Sequence, residues 1–219
     1  MTGTAAEIDV IVNCHNYGRF LTDAVDSARL QQGVSVNVIV VDDGSTDETP
    51  AVVATLGVAV KAIRTGNRGQ GAALNSGFAI STAPLVMFLD ADDALLPGAL
   101  ARAVAALAGT PGAVKAQWAM ALAGADLAPS GAIVPAAHVP MPSGDVRDAQ
   151  RRYGFDLAWA ATSGNLFPRA TLEALLPIPE SQFPIGADWY LQHLSALLGP
   201  VVSLREPGTL RRVHGQNAY

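Results

Sequence analysis

The chain has 219 residues, of which half are hydrophobic and 15% are charged, enough for one packed domain. Its formal net charge of −5 and pI near 5.2 exclude a broad basic face for nucleic acid or for an anionic membrane. A single cysteine, Cys14, excludes an internal disulfide.

In chain order, 8–14 is a β-branched apolar run and predicts a buried strand. Helical spacing of Phe20, Leu21, Ala24, Val25 and Ala28 predicts a helix over 19–32. A second strand, 36–41, runs into Asp42 and Asp43. Ser45 or Thr46 is then placed to cap a helix starting near Asp47, with Pro50 tolerated in its first turn. A third strand is expected at 58–63, a Gly-rich polar turn at 65–70 and a short helix at 71–80. A fourth strand, 85–89, is cut off by Asp90, and a helix follows from Pro97 to about Ala108.

The second half is less regular. The stretch 114–122 is too Ala-rich to decide between strand and helix. Four prolines mark 127–144 as an extended loop. A strand at 162–167 leads into a helix at 169–176, and 177–184 is a Pro-punctuated loop. A helix at 188–198 and two strands, 201–204 and 209–213, complete the pattern. Trp118 and Trp159 are expected in the core, Cys14 is expected to be inert, and His138 and His193 receive no role.

Strands alternating with helices imply an α/β fold with a doubly wound, mostly parallel sheet and a smaller mixed region after it. Such sheets bind ligands beyond the carboxyl ends of their strands. Asn13, Asp42, Asp43, Asn67, Asp90, Asp92 and Asp93 all fall at those ends. We therefore expect one domain over 1–219, with a nucleotide-sized cleft in 1–109 and the remaining machinery in 110–219.

The stretch VMFLDADDALLP (86–97) closes an apolar strand with three carboxylates in four residues. Like charges that close raise one another's pKa, and a hard divalent cation such as Mg²⁺ or Mn²⁺ would relieve them. A solvated turn is the plainer reading of that motif alone. VVDDGSTD (40–47) repeats the design, so two acidic strand ends point at one cleft. The glycines of 66–77 are not a dinucleotide fingerprint, because they follow the third strand rather than the first.

These stretches carry a resemblance. VNCHNYGRFL (12–21), VVDDGSTD (40–47), NRGQGAALNSG (67–77) and FLDADD (88–93), then TSGNLF (162–167), Ala187 with Asp188, and RVHGQN (212–217), resemble in order and spacing the inverting glycosyltransferases of family 2, which have the GT-A fold. The resemblance implies a glycosyltransferase of the hexosyltransferase type. It would use a nucleotide-sugar donor, UDP-linked by preference, a Mn²⁺ or Mg²⁺ cofactor, and a saccharide, lipid-linked or other hydroxyl acceptor.

Residue by residue, the resemblance implies that Asn13 contacts the base through its backbone and that Asp43 hydrogen-bonds it. Asn67 to Gly71, with Gly69, would line the nucleotide pocket. Asp90 would bind ribose or support the metal, and Asp92 and His214 would hold the metal at the diphosphate. Asp188 falls at the catalytic base. Asp93 is read as a helix-start or supporting residue. Read from the sequence itself, Trp189 packs its helix or stacks on an acceptor sugar. The chain departs from the family in Ala187 for Glu, Leu74 for Arg, Asn13 for Pro and His15 for Tyr.

Two rival functions are a sugar nucleotidyltransferase and a non-catalytic nucleotide-sugar-binding module. The first wants a basic, Gly-rich loop after strand one, where 14–19 offers one Gly and one Arg. The second is favoured by Ala187 and opposed by Asp188 and His214. The N-terminal residues lack a signal-peptide pattern, and no run reaches the roughly 18 apolar residues of a spanning helix. The expectation is a cytoplasmic protein with peripheral membrane docking left open.

Overall fold

The computed structural model describes residues 5–215 and residue 217. The first half contains β1 (Ala6–Cys14), α1 (Gly18–Arg29), β2 (Val34–Asp43), α2 (Thr49–Leu56), β3 (Lys61–Thr65), α3 (Gln70–Ile80), β4 (Leu85–Asp90), β5 (Ala94–Leu95) and α4 (Ala99–Ala108). The second contains β6 (Lys115–Ala123), β7 (Pro129–Val134), α5 (Arg147–Tyr153), β8 (Asn165–Pro168), α6 (Arg169–Glu173), α7 (Ala187–Leu198) and β9 (Val201–Arg212). One sheet runs through both halves in the order β3-β2-β1-β4-β8-β6-β9-β5, with β7 paired to β6. β1 to β4 are mutually parallel, β8 runs against β4, and β6 and β9 are parallel to each other.

The first strands are continuous apolar runs because both sheet faces are covered. Val10, Val12, Val38, Val40, Met87 and Leu89 face a core that includes Leu21 and Val25 of α1 and Leu100 of α4. Their neighbours Ile11, Ile39, Val41, Val86 and Phe88 face the opposite core, with Leu74 of α3, Leu172 of α6 and Leu191 of α7. The alternation is the period of two that a pleated strand imposes.

Several expectations are corrected. The third strand lies at Lys61–Thr65, because residues 57–59 form a 3₁₀ turn and Val58 stays exposed. The helix after β2 begins at Thr49. It is Asp47, rather than Ser45 or Thr46, whose carboxylate accepts the Thr49 amide (3.0 Å), the Thr49 hydroxyl (2.6 Å) and the Gly18 amide (3.0 Å). Residues 115–123 resolve as a strand. The expected loop 127–144 contains β7, and α6 is shorter than 169–176.

The two strands expected at the C-terminal end are one, β9. Its register with β6 passes from Trp118 opposite Leu204 to Met120 opposite Thr209, so a bulge absorbs the Pro-Gly break at 207–208. Trp118 Nε1 donates to Thr209 Oγ1 at 2.8 Å, and a Cβ on Gly208 would fall 2.6 Å from the Trp118 ring. No described helix is long and apolar enough to cross a membrane.

Candidate active site

The parallel register sets Asn13 of β1 beside Asp90 of β4 and Cys14 beside Asp42 of β2. A cavity of about 620 Å³ opens beyond these strand ends. Asn13, Asp43, Asn67, Gly69, Asp90 and Asp92 line it, six of the eight residues named from the sequence. Its size suits a small-molecule ligand. Asp188 and His214 are not in the lining.

Asp43 organises one wall. Its buried carboxylate accepts the Thr65 hydroxyl at 3.0 Å and the Arg68 and Gly69 amides at 3.1 and 2.8 Å. The loop after β3 is thereby tied to the end of β2. His15 Nδ1 lies 2.7 Å from the Asp43 carbonyl, and its Nε2 is 3.2 Å from Asn67 Nδ2. The carbonyl requires a donor, so the proton sits on Nδ1 and Nε2 accepts. Asn16, at φ 60°, accepts the Thr46 amide at 2.7 Å and so joins the β1–α1 and β2–α2 loops.

Gly44 holds φ +68°, and a Cβ there would stand 2.5 Å from the Asn67 amide nitrogen. Gly44→Ala is expected to cost about 1–3 kcal/mol from strain and displaced loop. The midpoint of chemical denaturation should fall, and Asn67 should move out of register with Asp43. An unchanged midpoint would reject this account of the turn.

The acidic end of β4 is buried. Asp90 accepts Asn13 Nδ2 at 2.9 Å and Gln70 Nε2 at 3.3 Å. Burial first, then the charge of Asp92, push its carboxyl up to about 7. Burial, with Asp90 and Asp92 next, also raises Asp93 well above the ordinary carboxylate range. Asp93 accepts the Arg212 backbone amide at 3.1 Å, which makes it a clamp between β4 and β9 rather than a helix start. Asn13 Oδ1 is buried and has no hydrogen-bond partner among the described residues.

Asp92 Oδ2 receives His214 Nε2 at 3.2 Å and Asn217 Nδ2 at 3.1 Å. The His214 side chain is 2% exposed and wedged against the rings of Tyr17 and Phe20, so it is no surface turn residue. Arg212, also 2% exposed, supports the same corner: Nε donates to the Asp92 carbonyl at 2.8 Å, and Nη2 pairs with Asp23 at 2.7 Å. Its guanidinium carbon lies 4.3 Å from the Phe20 ring centroid. Cys14 is inert as expected, burial pushing its thiol up to about 11.

Among the described residues, no three His, Cys, Asp or Glu side chains are grouped so as to hold a metal ion. The Asp92 carboxylate and the His214 imidazole, 3.2 Å apart, still offer two donors of the right kind. That set fits a divalent cation whose other positions go to diphosphate oxygens and water, which is how Mg²⁺ is usually bound. It does not fit an all-protein cage.

Asp188 sits at the first turn of α7. It accepts the Trp189 amide at 2.9 Å and Gln192 Nε2 at 3.1 Å. Burial raises its carboxyl above the usual range. Gln70 links it to the cavity: Nε2 reaches Asp90 Oδ1 and Thr162 Oγ1 (3.2 Å), while Oε1 accepts the Ala187 amide at 3.0 Å. This bridging role of Gln70, like the burial of Arg212, was missed by sequence reasoning. Both residues lay inside quoted motifs, but only the fold brings their partners to them.

The family model described as "Glycosyl transferase family 2" matches residues 9–130, more than half of the chain. An uncharacterized glycosyltransferase of Nostoc sp. (strain PCC 7120) is 32% identical over 217 residues, covering 97% of this chain and 66% of that protein. Among solved structures, S. aureus TarS 1–349 in complex with UDP superposes with a TM-score of 0.75 at 20% identity, covering 94% of this chain and 60% of that one. The mannosyltransferase PcManGT of Pyrobaculum calidifontis, in complex with GDP-Man and Mn²⁺, gives 0.65 at 22% identity, covering 99% of this chain and 59% of that one. The chain thus spans about two thirds or less of the proteins it matches. At these identities the structural likeness shows the shared mixed α/β fold, that of the GT-A glycosyltransferases. By its family match, this chain belongs to glycosyl transferase family 2.

Proposed function

We propose that the chain transfers a sugar from a nucleotide-diphosphate sugar, UDP-linked by preference, to an acceptor hydroxyl with inversion at the anomeric carbon. Residues 1–109 would hold the donor, and 110–219 would supply the base and the acceptor side of a single domain. The observation that carries this reading is the convergence of Asn13, Asp43, Asn67, Asp90 and Asp92 on one cavity of about 620 Å³ at the carboxyl ends of β1, β2 and β4. Asn13 through its backbone, with Asp43 and Asn67, would frame the base, and Asp90 would bind the ribose.

In the transfer, the acceptor oxygen attacks the anomeric carbon and Asp188 takes its proton. A carboxyl held above its ordinary range by burial is a stronger base for that step. The bond from the anomeric carbon to the diphosphate oxygen breaks, and its electron pair leaves with the nucleoside diphosphate. Attack from the face opposite that leaving group inverts the centre, by the logic of inverting hydrolases with the acceptor replacing water. A divalent cation held by Asp92 and His214 would stabilise the charge of the leaving diphosphate.

Calorimetry of UDP binding tests the donor site. Mn²⁺ is expected to strengthen UDP affinity by about tenfold or more, equivalent to ~1.4 kcal/mol. Asp92→Ala should erase that gain while keeping the melting profile of a folded protein. Equal UDP affinity in Mn²⁺ and in EDTA for the unaltered chain would remove the metal from the proposal.

A further inference from the structure

Beside Asp188 lies a second group of side chains that the donor cavity does not include. α5 packs against α7, and between them Gln150 Nε2 lies 2.9 Å from His193 Nδ1. His193 stands between two indoles, its centroid 5.1 Å from that of Trp189 and 6.4 Å from that of Trp159. Beneath Trp159 the Lys115 ammonium lies 4.4 Å from the ring centroid. Lys115, Trp159, His193 and Trp189 thus form a chain of neighbours running from the core to the surface.

Trp189 immediately follows Asp188 and is 53% exposed, so part of its surface is open to solvent. Two polar atoms of the same cluster, Trp159 Nε1 and Gln150 Oε1, are shielded from solvent and have no hydrogen-bond partner among the described residues. One is a donor and the other an acceptor, and each unmet buried group costs about 1–3 kcal/mol. Burial and the nearby Lys115 charge hold His193 below its ordinary pKa.

A flat exposed indole beside the proposed base matches one class of ligand, and the unmet donor and acceptor behind it become partners when the side chains at the rim shift. A pyranose presents an apolar C–H face that lies against an aromatic ring, and hydroxyls at its edge that donate and accept at once. We propose that Trp189, with His193, Trp159 and Gln150 behind it, is the acceptor subsite, that it takes an uncharged saccharide ring, and that it holds one ring hydroxyl toward Asp188. The proposal rests on the reading of Asp188 as base. It goes further by naming the acceptor class and the surface that selects it.

The chain has three tryptophans, so its indole N–H resonances can be followed one by one in an NMR titration. The probes are cellobiose, maltose and chitobiose, each added to the whole chain with and without UDP. At least one disaccharide is expected to shift the Trp159 and Trp189 indole signals and leave Trp118 in place. Trp189→Ala should weaken that saccharide's binding by about tenfold or more with UDP affinity within about twofold of the unaltered chain, and Trp189→Phe should restore most of the loss. The proposal is overturned if none of the three moves the Trp159 or Trp189 signal, or if Trp189→Ala binds the active disaccharide as well as the unaltered chain does. Failure of UDP itself to bind would instead strike the donor reading, and is scored on a separate titration.

Discussion

Asp188→Asn is expected to leave UDP binding within about twofold of the unaltered chain and to lower sugar transfer by about 10²–10⁴-fold, the usual range for removal of a positioned general base. The substitution is close to isosteric. Its amide oxygen can still accept the Trp189 N–H, and Gln192 can turn its own amide to present oxygen to the new NH₂ group. Gln70 continues to hold the Ala187 amide, so the start of α7 keeps its place against the donor cavity. What is lost is the capacity to take a proton. Acceptor-dependent release of UDP from a nucleotide sugar reads the effect, with a thermal melt to confirm folding. Undiminished transfer would remove Asp188 as the base and assign the proton to another group.

Lys115→Met is expected to change how stability depends on pH. Lys115 is fully buried, donates to Asn165 Oδ1 at 3.0 Å and lies against Trp159. Burial pushes its pKa down to about 7, against the opposing pull of Asp188, whereas the unfolded chain keeps the ordinary value of 10.5. Between those values the unfolded state binds a proton that the folded state does not. Stability therefore rises with pH across that window, by at most about 1.4 kcal/mol per pH unit, and the burial penalty is at its full size below it. In Lys115→Met this component of the slope should vanish. Asn165 Oδ1 would lose its donor at a roughly constant cost of about 1–3 kcal/mol. Denaturant unfolding at a series of pH values from 7 to 10 separates the two contributions. Parallel stability curves for the unaltered and substituted chains would refute a depressed Lys115.

How much of this was legible in the sequence follows from the range of each interaction. β1, β2 and β4 were readable because each is covered on both faces, and a strand in that position is a near-continuous apolar run. The third strand was displaced because Val58 and Ala59 lie in the 3₁₀ turn at 57–59, while the ladder with Ile39–Asp43 takes 61–65. β7 and α5 gave no pattern. Four of the six residues in β7 are exposed and α5 has no buried residue, so no apolar period marks them. β9 was split because a Pro-Gly pair reads as a break, and only the fit of Gly208 against Trp118 lets the strand continue.

By itself, the sequence determined the doubly wound half and the residues gathered at its strand ends. Strand polarity and parallel register follow from apolar runs and short connections, and together they set Asn13, Asp43, Asp90 and Asp92 around one cleft. What only the tertiary structure decided are the pairings between residues far apart in the chain. These are Gln70 with the start of α7, Asp92 with His214, Arg212 beneath the acidic corner, and Trp159 with His193 near Asp188. The physical reason is that a local pattern records which face of an element is buried but not which other element buries it. Hydrogen bonds and ring contacts across 30 to 120 residues leave no period in the sequence to read.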